Sequence, residues 1–216
     1  MKAALFIYGG WEGHQPRETA ELMAQALVKH NFQIELAGNL QVLEDAAKLA
    51  RMDLIVPVWT MGQISQEQVL NLLAAVRHGT GLAGWHGGMG DAFRSCPEFQ
   101  FAVGGQFVCH PGGIVEYEVR IREHDDPIMI GLTNFKLTSE QYYMHVDPSN
   151  KVLASTFFSG EHEGFDWIRG VELPAVWKRR YGQGRVFYSS LGHNGADFQV
   201  PQVKEITTRG LIWAAR

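Results

Sequence analysis

Through the first half of the chain, apolar runs of strand length alternate with segments whose apolar residues recur at helical spacing. "ALFIY" (4–8) predicts a first strand, and Pro16 opens a helix that places Leu22, Met23, Ala26 and Leu27 on one face. "FQIELAG" predicts the second strand, a short helix is expected around residues 40–50, and "DLIVPVW" (53–59) predicts the third strand. Ser65 and Gln68 have the spacing of a capping box. The helix they open carries Val69, Leu72, Leu73 and Val76 on one side and ends at Gly79 and Gly81. A fourth strand, "GLAGW", follows.

The second half reads differently. "VEYEVRI" (115–121) alternates as a half-solvated strand does, and "PAVWKRRYGQGRVFYSSLGH" reads as two strands around a Gly-Gln-Gly turn. The closing "VKEITTRGLIWAAR" has helical period, with Ile206, Leu211, Ile212 and Trp213 as its expected buried side. Strands alternating with helices imply an α/β fold: a mostly parallel central sheet, helices on both faces and an antiparallel edge. No repeat or linker interrupts the pattern, so residues 1–216 read as one domain.

Composition narrows the function classes. The chain is 45% hydrophobic with a formal net charge of -4, and it contains no run of basic residues, so neither nucleic acid nor an anionic membrane is an expected partner. A small molecule or a protein is expected instead, and a homo-oligomer stays open. No segment has the length of a membrane span, and "KAALFIY" is short for a signal sequence, so a cytoplasmic location is expected. The two cysteines, Cys96 and Cys109, read as free thiols, Cys109 as a buried one. No nucleotide cofactor is indicated.

The fourth strand runs into Gly84-Trp85-His86-Gly87-Gly88, the spacing of a strand-to-helix elbow that ordinarily presents a Ser or Cys nucleophile. Here the central residue is His86. His14, His86 and His193 each follow an expected strand, and strand carboxyl ends line the ligand crevice of an open α/β sheet. His110 and His145 fall in loop-like surroundings, with Glu140 nearby. Convergent imidazoles and a carboxylate suit a divalent transition metal such as zinc. The other reading of His86 and His193 is a hydrogen-bonded core histidine. His30, His78, His124 and His162 read as solvated. Trp85, Trp59, Phe93, Tyr142 and Tyr143 are either core or apolar walls for a sugar ring.

"GGWEGH", "GWHGG", "GGQFVCHPGG", "SEQYY", "PAVWKRRYGQGRVFYSSLGHN" and "RGLIWAAR", in that order, resemble the trehalose-utilisation (ThuA-like) family from about residue 3 to the C-terminus. The resemblance implies a class I glutamine-amidotransferase-like, flavodoxin-like three-layer sandwich with His86 in the nucleophile's place. The amidotransferase pattern carries a Glu two residues after its late His, whereas Asn194-Gly195 follow His193 here. Glutaminase chemistry is therefore disfavoured, as is a hydrolase using Cys96 or Cys109.

The family association with sugar catabolism implies a carbohydrate ligand, in particular a keto-sugar or keto-glycoside. His86, Glu140 and His193 are then the expected catalytic residues, and His14, Trp85, Tyr142 and His145 the expected substrate contacts. His86, His110 and His193 are the expected ligands of a zinc or manganese ion. A metal-assisted isomerase, lyase or hydrolase is one reading; a non-catalytic sugar-binding or regulatory module on the same scaffold is the other.

Overall fold

In the structure, a computed structural model describing residues 1–216, the chain begins with β1 (Lys2–Gly10), α1 (Pro16–Val28), β2 (Phe32–Ala37), α2 (Ala46–Arg51), β3 (Leu54–Thr60), α3 (Gln66–Arg77) and β4 (Gly81–Trp85). Each of these elements falls where the apolar pattern places it. The short helical region is split, a tight turn at Leu40–Glu44 preceding α2. Ser65 and Gln68 make both hydrogen bonds of the capping box, and Val69, Leu72, Leu73 and Val76 are buried.

After the elbow come α4 (His86–Gly90), α5 (Pro97–Val103), β5 (Gly105–Cys109), β6 (Ile114–Ile121), β7 (Phe135–Glu140), β8 (Tyr143–Val146), β9 (Lys151–Phe157), β10 (Glu172–Tyr181), β11 (Gly184–Ser189) and α6 (Pro201–Ala214). The main sheet has nine strands in the order β2-β1-β3-β4-β11-β10-β9-β6-β7, and β5 pairs with β8 in a second, two-stranded sheet. From β2 to β11 every neighbouring pair is parallel. From β11 to β7 every pair is antiparallel.

The antiparallel part is thus four strands deep rather than a simple edge. Parallel neighbours need a crossover of a dozen or more residues, usually a helix. Between β9 and β11 the connections carry no such helix, and the turn at Gly182-Gln183 folds β10 directly back onto β11.

Two apolar clusters fill the faces of the sheet. One is built on α1 and α6, the other on α2, α3 and α5. Two helix faces differ from the pattern's expectation. In α1 the buried stripe is Ala20, Met23, Ala24 and Leu27, with Leu22 and Ala26 half-buried at its border. In α6 it is Val203, Ile206, Thr207, Gly210, Leu211 and Ala214, while Ile212 and Trp213 are half-buried. Gly210 explains the rotation: a Cβ there would stand 2.2 Å from the Phe187 ring, so the helix backbone itself lies on β11.

Removing the Ser65 hydroxyl deletes one side of the capping box. Ser65→Ala is expected to cost about 1 kcal/mol of stability and to lower Tm by roughly 2–4 °C for a chain of this size. Thermal unfolding followed by circular dichroism checks this, and an unchanged Tm would remove the cap as a contributor.

Candidate functional site

The elbow is present, and its backbone is strained. His86 has φ 46°, the left-handed region that side-chain-bearing residues seldom occupy. A Cβ on Gly87 would approach the His14 ring to 2.6 Å, so the next residue must be glycine for the turn to close against β1 and β3. The elbow does not lift His86 into solvent, however. Its residue is 1% exposed, because Tyr142 stacks on the imidazole with ring centroids 3.9 Å apart. The expectation of an exposed elbow side chain is corrected accordingly: the turn aims the ring inward.

What it is aimed at is a closed set of donors. Nε2 of His86 lies 3.1 Å from Oε2 of Glu140 and 3.3 Å from Nδ1 of His193. Nδ1 of His193 lies 3.3 Å from the same carboxylate oxygen, and Nε2 of His14 lies 3.7 Å from it. All four donor atoms fall within 4.8 Å of one another. His14 follows β1, His86 follows β4, His193 follows β11 and Glu140 ends β7.

The opposite edges of the rings decide what the inner edges can do. Nδ1 of His86 lies 2.8 Å from the Ser190 carbonyl. A carbonyl only accepts, so Nδ1 carries the proton and the neutral ring turns a lone pair at Nε2 toward Glu140. Nδ1 of His14 is held 2.8 Å from Thr60 Oγ1. Burial pushes the His86 pKa down to about 4, against the opposing pull of Glu140. Burial also works against the Glu140 charge, but the surrounding imidazoles of His14, His193 and His86 outweigh it and hold this carboxyl well below its ordinary range. A neutral imidazole and an ionised carboxylate therefore face each other.

That donor set fits a cation. A metal bound at about 2.0–2.2 Å holds tetrahedral N and O donors roughly 3.3–3.6 Å apart. Four of the six donor separations, at 3.1–3.7 Å, lie around this spacing, and all six are within 4.8 Å. The carbonyl of Ser190 and the hydroxyl of Thr60 supply the outer contacts that ordinarily orient ligating imidazoles.

The remaining sequence candidates separate cleanly. His110 is not among the inner donors: its side chain is 42% exposed, with Nε2 3.8 Å from Oε1 of Glu140, on the rim. His14, expected as a substrate contact, stands among the four inner donors. Trp85 is core, edge-on to Phe198, and presents no face to a ligand. Phe93 is likewise buried, Trp59 and Tyr143 are half-buried, and Tyr142 covers His86. His145 is exposed on β8 in register with Gln106, and makes none of these contacts. The thiols of Cys96 and Cys109 are half-buried, so Cys109 is less enclosed than expected; burial raises both pKa values, which keeps them protonated at neutral pH. A cavity of about 540 Å³ lies elsewhere, lined by Arg122, Lys151 and Glu172 among others, and its charges are already paired.

Asp197 is the residue that the sequence pattern did not reveal. Buried at 5% exposure, its Oδ2 accepts from the backbone N–H of His193 at 2.9 Å, from Gly192 at 3.3 Å and from the Ser139 hydroxyl at 2.7 Å. It thereby ties the His193 loop to the residue preceding Glu140. The signal was a second carboxylate four positions after His193, outside the spacing that the amidotransferase pattern directs one to inspect.

A histidine whose folded pKa is lowered to about 4 takes up its proton more readily when unfolded, near 6.5. Its contribution is therefore full above about pH 6.5 and lost as pH falls toward 4, and the depressed Glu140 acts in the same direction. Chelator-treated protein is expected to lose about 3 kcal/mol across this window, and His86→Asn to flatten the profile. Urea unfolding at stepped pH measures it; identical profiles for both proteins would refute the assignment.

Comparison with known proteins agrees with this architecture. Solved structures similar to the chain include a ThuA-like protein from Parabacteroides merdae, with TM-score 0.80, 20% identity, and coverage of 99% of this chain and 89% of that one. A ThuA-like protein from Bacteroides uniformis gives TM-score 0.81 and 18% identity, covering 99% and 91%. A β-galactosidase from Bacillus circulans gives 0.60 and 17%, covering 99% of this chain but 30% of that protein. At such identities these likenesses establish the fold alone. No curated protein matches the sequence. No helix is long and apolar enough to cross a membrane. The family model described as trehalose utilisation matches residues 3–214, and the chain therefore belongs to the ThuA family.

Proposed function

We propose that the protein is a metal-dependent enzyme of carbohydrate metabolism acting on a keto-sugar or keto-glycoside, with the ion held by His14, His86, Glu140 and His193. The observation that carries this reading is the convergence of three imidazole nitrogens on one buried carboxylate oxygen. Three imidazoles and one carboxylate suit zinc or manganese. The carbohydrate part rests on family membership, and a cytoplasmic location accords with free thiols and the absence of a membrane-spanning helix.

A divalent cation supplies Lewis-acid polarisation of a substrate oxygen when bound. The chain's own groups do the rest. Ser190 and Thr60 fix which ring edges of His86 and His14 face inward, Asp197 anchors the His193 loop, and Tyr142 shields His86 from water. His110 stands on the rim, where an imidazole can take a proton from the carbon beside a ketone or return one to a departing oxygen. A ketone on the sugar ring acidifies that neighbouring hydrogen, so isomerisation, epimerisation or elimination of the aglycone is the reaction class supported.

Elemental analysis of protein purified without a histidine tag tests the reading. About one zinc or manganese per chain is expected for four such ligands, falling in His14→Ala, His86→Ala and His193→Ala but retained in His110→Ala. His110→Ala is expected to lose about 100-fold in keto-glycoside turnover. Asp197→Asn is expected to weaken metal binding about 10–100-fold. Wild type that stays metal-free after supplementation, or unchanged turnover in His86→Ala, would overturn the proposal. Saturable sugar binding with no product across a keto-glycoside panel would instead make the protein a binding module.

A further inference from the structure

The inner donors are between 1% and 13% exposed, so a ligand reaches them only across the rim. On that rim stands an indole. Trp11 is 48% exposed, although tryptophan is on average heavily buried, and its ring meets His14 edge-to-face with centroids 4.7 Å apart. It is thus one residue removed from the candidate metal centre.

Its placement is built into the backbone. The Trp11 N–H donates to the Thr60 carbonyl at 3.2 Å, beside the hydroxyl that orients His14. Gly10 has φ 81°, and a Cβ there would lie 2.1 Å from the same Thr60 oxygen. The indole rests directly on Gly13, where a Cβ would stand 2.5 Å from Cζ2. Gln15, itself at φ 48°, accepts the N–H of Gly195 through Oε1 at 3.0 Å and so binds this loop to the His193 loop. Two glycines and a left-handed glutamine thus hold an exposed apolar ring beside a polar centre. An indole in that position is preorganised, and it loses little freedom when a ligand covers it.

We infer that Trp11 is the platform on which the apolar face of a pyranose ring stacks, leaving the oxygens at the ring's edge to face His14, Glu140 and His193. A pyranose has one face of C–H groups and a girdle of oxygens, and this matches an aromatic surface next to polar ligating groups. The inference rests on the carbohydrate reading above and deepens it, making a cyclic sugar rather than an open-chain polyol the ligand.

The test reads binding rather than turnover. Chelator-stripped protein carrying 15N-labelled tryptophan is titrated with trehalose, with methyl α-D-glucopyranoside and with acyclic sorbitol, and the Trp11 indole resonance is identified by its loss in Trp11→Phe. Both pyranosides are expected to shift that resonance saturably, and sorbitol to leave it in place. By calorimetry, Trp11→Ala is expected to bind trehalose about tenfold or more weakly and Trp11→Phe to recover most of that loss, with metal content equal to wild type in both. No shift at Trp11 with either pyranoside, an equal shift with sorbitol, or unchanged trehalose affinity in Trp11→Ala would overturn the inference. A wild type that holds no metal and turns nothing over, yet shows the Trp11 shift, would remove the enzymatic reading and leave the platform standing.

Discussion

A carboxylate in a protein interior is tolerated only when its charge is met, because the effective cost of desolvating such an ion amounts to several kcal/mol. Glu140 meets this demand in an unusual way. Its surrounding partners are imidazoles, and one of them, His86, is made to turn an unprotonated nitrogen inward by a carbonyl on its far side. Two lone pairs opposed at 3.1 Å are unfavourable unless a positive charge lies between them. Much of the surrounding structure serves that opposition: the strained elbow beneath His86, the tyrosine over it, and the buried aspartate that ties the loop of His193 to the strand of Glu140.

The elbow acquires a different meaning in this setting. In a hydrolase such a turn exposes a nucleophile so that a carbonyl carbon can reach it. Here the same left-handed backbone and the same obligatory glycine at position 87 bring an imidazole into a closed set of donor atoms. What an elbow provides is accurate placement of one side chain at the end of a central strand, and a metal ligand needs placement as much as a nucleophile does. The two cysteines lie elsewhere, and burial raises both thiol pKa values, which keeps them protonated at neutral pH.

The donor set could be read in part before the fold was known. His14, His86 and His193 were legible because each follows a strand, and the carboxyl ends of parallel strands open on one side. The position of His110 is not legible in the sequence, because loop residues carry no periodicity that fixes their direction. His110 ends β5's continuation on the rim, one position beyond the two-stranded sheet. The sequence leaves Trp85 open between core and wall, since an aromatic at a strand end has the same local pattern whether it faces a crevice or, as here, Phe198. Asp197 acts through backbone N–H groups, which leave no mark on sequence spacing.

Local chemistry by itself determined β1 to β4 and the helices between them, the capping box at Ser65 and the elbow at His86. These follow from hydrophobic period, caps and glycine, which act over a few residues. Only the tertiary structure decided that Glu140 joins the histidines. β7 is five strand positions from β4, roughly 24 Å in a flat sheet, yet Glu140 lies 3.1 Å from His86. The antiparallel strands must curl back over the ends of the parallel ones for this to happen. Sheet curvature is the sum of many small twists and pairings between distant segments, so no stretch of sequence contains it.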